Sequence, residues 1–195
     1  ITLIDYDEQT FEERPLRSAD ECAVYREKPT ATWINVDGVH DATALERIGT
    51  CFGLHRLVME DILSVVQRPK VEDYGDHLYI VIKMLTYDDR EEKVIPEQVS
   101  IVLGRNYLLS FQEGIRGDVF SMIRDRLRAG RGRIRRMGTD YLAYPLLDAV
   151  VDGYFLVLEK VGERIDRLED EVITDPGGAT VETLYRAKRE LLFLH

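Results

Sequence analysis

The run from about Thr139 to Thr174 constrains the fold of this chain more than any other feature. Pro145 is its one proline, and helix formers dominate the rest. Apolar side chains recur at Leu147, Val150, Val151, Tyr154, Leu158, Val161, Ile165 and Leu168. The spacing is close to a heptad stripe. A helical pattern longer than about 25 residues points to a coiled-coil-like element rather than a globular helix. Asp175-Pro176-Gly177-Gly178 breaks the run, and a second stripe, Leu184, Ala187, Leu191 and Leu194, belongs to a helix predicted from near Thr180. The pattern predicts a long helical hairpin arm over 138–195, its return helix cut short.

Residues 1–137 carry the shorter periods of an α/β domain. One or two short strands are expected within 1–14, and another over Thr32–Val36 that ends at Asp37-Gly38. Ser18-Ala19-Asp20-Glu21 is a capping box, so a short helix starts at Ser18. Asp41 caps a helix running through Leu45 and Ile48 to about Gly49. A second helix covers roughly His55 to Ser64, with Pro69 as its stop. Residues 77–86 are apolar almost throughout, which predicts a central strand buried on both faces. Residues 98–103 alternate more clearly, and Gly104-Arg105-Asn106 turns the chain into a strand over 107–111. These three strands form an antiparallel meander. Asp118 then caps a helix carrying Phe120, Ile123 and Leu127. The expected architecture is an α/β/α sandwich with a mixed, largely antiparallel sheet over 1–137, followed by the arm.

Charge and cysteine content narrow the function. The net charge of −10 excludes nucleic acid as the main partner, because neutralising phosphates takes surplus Lys and Arg. The seven arginines between Arg124 and Arg136 are expected instead to pair with the acidic arm at Glu163, Asp166, Glu169, Asp170 and Glu171. Cys22 and Cys51 are too few for a disulfide framework or a zinc ligand set and suit a reducing compartment. Cys51 and His55 are four apart, but no third group is present to orient them as a nucleophile and base. No apolar run approaches the ~20 residues of a membrane span. Both ends read as those of a piece of a longer chain.

The chemistry concentrates around residues 52–70, where the adjacent carboxylates Glu60 and Asp61 interrupt an apolar helix that Gln67-Arg68-Pro69-Lys70 follows. Further motifs are Trp33-Ile34-Asn35-Val36-Asp37-Gly38, Phe52-Gly53-Leu54-His55, Glu60-Asp61-Ile62-Leu63, Glu97-Gln98-Val99-Ser100, Phe111-Gln112-Glu113, Gly117-Asp118-Val119-Phe120 and Asp140-Tyr141-Leu142. In this order and spacing the set resembles the cytoplasmic domain of the CorA family of divalent-cation channels.

The resemblance implies a funnel-shaped homopentamer at the cell membrane, with this piece on the cytoplasmic side. It also implies a stalk helix, two C-terminal membrane helices and a Gly-Met-Asn pore motif, none of which is in this sequence. Mg²⁺ or Co²⁺ would be both the transported ion and the regulatory ligand. Divalent ions bridging neighbouring subunits would hold the pore closed. The metal ligands carried over are Glu60, Asp61 and Asp148, with a further family carboxylate beyond His195. The residue chemistry agrees, since Mg²⁺ takes oxygen ligands, keeps several waters and needs only one or two carboxylates. Asp148 and Asp152 share a helix face, but Asp152 reads as part of a solvated stripe. Two alternatives stand beside this reading. One is a soluble metal-dependent hydrolase using the same three carboxylates, for which no base is evident. The other is the zinc-transporting branch of the same family, which all-oxygen ligands disfavour.

Overall fold

The computed structural model describes residues 1–115, 119–174, 183–185 and 187–189. Local signals place the first elements. Strands β1 (Thr2–Tyr6) and β2 (Phe11–Pro15) form a hairpin. The Ser18 capping box opens a 3-10 helix, Ala19–Tyr25, with both reciprocal bonds made. Strand β3 spans Ala31–Asp37. The Asp41 carboxylate accepts the Ala44 N–H at 3.0 Å and starts α1, Ala42–Phe52. Replacing Asp41 with Ala should lower stability by about 1 kcal/mol, measurable as a shift in the urea midpoint. Helix α1 runs one turn beyond the expected stop at Gly49. Gly53, in the left-handed region at φ 68°, closes it by donating to Gly49 and Thr50. A side chain at Gly53 would be strained there.

Helix α2, Arg56–Leu63, starts at His55, whose Nδ1 accepts the Leu57 N–H. It ends at Ser64, well before Pro69, because Ser64 turns extended and the following loop is tied to the sheet instead. Strands β4 (Lys70–Asp73), β5 (His77–Asp88), β6 (Lys93–Gly104) and β7 (Tyr107–Gln112) come next. The Gly104–Asn106 turn is where the sequence predicts it. Strand β4 carried no strand signal and was not expected. Helix α3, Ser121–Ala129, begins at Phe120 without a side-chain cap, and Asp118 lies outside the described residues. Helix α4, Thr139–Thr174, coincides with the predicted run. Residues 183–185 and 187–189 are also helical, whereas Asp175–Gly178, Leu191 and Leu194 lie outside the described residues.

The seven strands make one sheet in the order β2-β1-β3-β7-β6-β5-β4. Strands β3 and β7 are parallel, while β1–β2, β1–β3, β4–β5 and β6–β7 are antiparallel. The sheet is therefore mixed and largely antiparallel, as expected. Residues buried on both faces belong to β1, β3, β6 and β7, not to β5. In β5, Tyr79 and Val81 are buried but Leu78, Ile80 and Ile82 only half so. Its neighbour β4 is the edge of the sheet, where one face has less cover.

Two compact units emerge. The first is residues 1–84 with 97–150, the second 85–96 with 151–195. In the first, Leu3, Ile34, Val36, Leu109 and Phe111 pack with Ile48 and Phe52 of α1 and with Val58 and Ile62 of α2. Other strand residues, Trp33 among them, are fully buried too. Trp33 meets Phe120 edge-on at 6.1 Å between centroids. In the second unit, Lys160 pairs with Asp89 at 3.3 Å and Arg167 with Glu92 at 2.7 Å, while Arg164 donates to the Glu92 carbonyl.

Helix α4 corrects two expectations. Its buried line is Leu142, Leu146, Val150, Val157, Arg164 and Leu168, so Val151 and Leu158 of the predicted stripe face outward. It also holds an 18-residue window of mean hydropathy 1.4, long and apolar enough by composition to cross a membrane and 28% buried. Asp148 and Asp152 break that run to the eye, but the surrounding Leu, Val and Phe outweigh them in the average.

Candidate metal-sensing carboxylates on α2 and their supports

Helix α2 buries Val58, Met59 and Ile62. The intervening positions, Glu60 and Asp61, therefore fall on its outer side, Glu60 exposed and Asp61 partly buried. The Arg56 Nε donates to Glu60 at 3.1 Å, one helical turn away. The Lys70 ammonium donates to Asp61 Oδ2 at 2.6 Å and to Glu72 Oε1 at 2.8 Å. Glu72 Oε2 accepts from the Tyr74 hydroxyl at 3.1 Å. Lys70 is pushed well above the usual lysine range, first by its bond to Asp61 and then by that to Glu72. Glu72 is lowered by its bond to Lys70.

The backbone around Asp61 is pinned from below. Gln98, buried in β6, donates through Nε2 to the Asp61 carbonyl at 3.1 Å. Its side-chain oxygen accepts the Gln67 N–H at 3.0 Å and a bond from Lys83 Nζ at 3.3 Å. Lys83 also donates to the Val65 carbonyl at 2.7 Å, and burial lowers its pKa. One glutamine thus fixes both ends of the loop between α2 and β4. Beside it, Glu97 is buried and accepts the Gly114 N–H at 3.1 Å.

Asp148 is exposed on α4, on the face that also presents Tyr144, Val151, Phe155 and Leu158 to solvent. Asp152 is exposed as well. Among the described residues, no group of three or more His, Cys, Asp or Glu side chains stands where it could hold one metal ion. Glu60, Asp61 and Asp148 therefore do not form a three-carboxylate centre within a single chain.

Among the described residues, Arg128, Arg135 and Arg136 take partners within the first unit. Arg128 takes Glu13 and Asp125 at 2.6 Å each, and Arg136 takes Glu8. Arg135 donates to the carbonyls of Leu127 and Arg128 and lies over the Phe11 ring. These partners sit in the β1–β2 hairpin and α3, which sheet pairing brings close and sequence distance conceals. Cys51 and His55 each take other partners among the described residues. The thiol faces the Ala19 carbonyl at 3.8 Å, and His55 Nδ1 is used in capping.

Lys70, Glu72 and Gln98 received no role from the sequence, although Gln67–Lys70 and Glu97–Ser100 were conspicuous as motifs. Their proximity to Asp61 was the missing information.

A sequence model of CorA-like Mg²⁺ transporter proteins matches residues 29–195. The cobalt/magnesium transport protein CorA of Thermotoga maritima is 44% identical over 194 residues, covering 100% of this chain and 55% of that protein. This chain thus spans about half the length of that relative. Among solved structures, the soluble domain of CorA from Methanocaldococcus jannaschii aligns with a TM-score of 0.71 at 17% identity, over 97% of this chain and 72% of that one. The complete CorA magnesium transporter of the same organism gives 0.71 at 16% identity, over 100% and 58%. At those identities the likeness is one of fold. With the family pattern running from residue 29 to the last, and 44% identity along the whole chain, this protein belongs to the CorA-like Mg²⁺ transporter family.

Proposed function

We propose that this chain is the cytoplasmic ion-sensing and gating domain of a pentameric Mg²⁺ or Co²⁺ channel at the cell membrane, and not an enzyme. The observation that carries the reading is an incomplete oxygen-ligand set. Glu60 and Asp61 stand side by side on a braced helix, with too few partners in one chain to enclose an ion. A neighbouring subunit would supply the rest. Asp148 suits that role because it shares its helix face with exposed Tyr144, Val151, Phe155 and Leu158, apolar groups that a second copy would cover.

Mg²⁺ held by a few carboxylates and several waters is bound weakly, as a sensor of abundant ion must be. Removing it leaves like charges opposed across the subunit interface. The ion closes the channel only as far as it prefers the closed arrangement, and symmetric copies sharpen the response. The 44% identity to a cobalt/magnesium transport protein supports these ions over zinc. The hydrolase alternative gains nothing from the cavities of about 390, 250 and 470 Å³, none of which is lined by Glu60, Asp61 or Asp148.

Replacing Glu60 and Asp61 together with Ala in the full-length protein should raise the Mg²⁺ concentration that protects against proteolysis by about ten-fold or more, since even outer-shell losses have effects of that size. An unchanged midpoint would remove these residues from the sensor.

A further inference from the structure

We infer that Lys70 is a built-in competitor of the regulatory ion, occupying Asp61 in the ion-free state and moving to Glu72 when a divalent cation binds. This rests on the sensor reading of Asp61 given above. Three observations carry it. The Lys70 ammonium already sits where a cation on Asp61 would sit, 2.6 Å from Oδ2. A second carboxylate, Glu72, lies 2.8 Å from the same nitrogen, on the same face of β4 because strand side chains alternate. Glu72 is steadied by the Tyr74 hydroxyl at 3.1 Å, so it remains in place whether or not Asp61 is shared.

The charges dictate the exchange. Asp61, Glu72 and Lys70 together carry one net negative charge. A divalent ion on Asp61 repels the ammonium. The long, flexible lysine stem then pivots towards Glu72, with its foot on β4 and its nitrogen 5.5 Å from the centre of the Tyr79 ring. Each binding event must displace Lys70, which weakens the site for every cation. A sensor of plentiful ion gains from that weakening, because a tight site would be saturated at all times.

The test uses the full-length protein and the Mg²⁺ midpoint of protection against chymotrypsin, a protease that does not cut at lysine. Lys70→Met keeps the stem and removes the charge, and should lower the midpoint about two- to five-fold, the range set by a partly exposed ion pair. Glu72→Gln strips the ammonium of its second partner and should raise the midpoint. In the double variant the Glu72→Gln effect should vanish, because there is no ammonium left to relocate. A Glu72→Gln effect that persists undiminished beside Lys70→Met would overturn the exchange in favour of a simple field effect. An unmoved Lys70→Met midpoint would overturn it outright. Should Lys70→Met fail to fold, Glu72→Gln alone decides, an unchanged midpoint counting against the proposal. Asp61→Ala separates the two levels. If it leaves the Mg²⁺ response intact, the sensor reading fails and takes this inference with it. If it abolishes the response while the Lys70 and Glu72 variants do nothing, only the inference fails.

Discussion

Trp33→Ala should destabilise this domain by about 4 kcal/mol, the largest loss expected from any single substitution considered. Trp33 is fully buried at the centre of β3, beside Leu108 of the parallel strand β7. Its ring meets Phe120 edge-on, and the Arg124 guanidinium lies over it at 5.8 Å. Truncation would empty the pocket that seats the segment leading into α3. The indole also opens a polar chain. Its Nε1 donates to Ser110 Oγ at 2.8 Å, and Ser110 donates to Asn35 Oδ1 at 2.7 Å. Trp33→Phe keeps most of the volume and leaves one acceptor of Ser110 unused, so it should lower stability by only about 1–2 kcal/mol. Urea unfolding followed by far-ultraviolet circular dichroism ranks the two, since Trp33 is the single tryptophan and fluorescence would be lost. Equal losses would mean that the hydrogen bond, not the packing, dominates.

The stability of the unmodified chain should fall as pH rises from about 4.5 to 7, and Glu97→Gln should remove about 3 kcal/mol of that fall. Burial raises the Glu97 carboxyl from 4.5 to about 7, opposed in part by the backbone N–H groups of Gly114 and Ile115. Its second oxygen has no hydrogen-bond partner among the described residues. Between pH 4.5 and 7 the folded state holds a proton that the unfolded state has released. The folded state therefore binds more protons, and stability declines with pH across that window. A shift of this size corresponds to about 3 kcal/mol, at 1.36 kcal/mol per pH unit. The loss is absent below pH 4.5 and complete above pH 7. Glutamine cannot ionise, so the variant and parent stability curves should converge below pH 4.5, diverge between pH 4.5 and 7, and hold that gap above pH 7. Parallel curves would show that another group titrates.

Glu97 also shows how legibility failed at the site. The motif Glu97-Gln98-Val99-Ser100 was visible as a motif, but its meaning is three-dimensional. Glu97 and Gln98 are adjacent in β6, so their side chains leave on opposite faces. One turns to the Gly114 loop and the other to the loop after α2. The same geometry hid Lys70, which reads as the tail of a helix-stopping tetrapeptide yet begins edge strand β4 and clamps Asp61. Conversely, Glu60 and Asp61 were legible as adjacent carboxylates within an apolar helix, and the burial of Val58, Met59 and Ile62 places them on its outer side.

The sequence by itself determined the elements whose signals lie within a few residues. The Ser18–Glu21 box, the Asp41 cap, the Gly104–Asn106 turn and the span of α4 all depend on bonds and sterics local to the chain. Tertiary structure alone decided what sequence distance conceals. It paired β3 with β7 in parallel, set Arg136 on Glu8 and Arg128 on Glu13, and turned Val151 and Leu158 of α4 outward. It also set Lys70 between Asp61 and Glu72. Each of these contacts depends on which surfaces meet once the sheet has closed, and a period of 2 or 3.6 residues names a face without naming its partner.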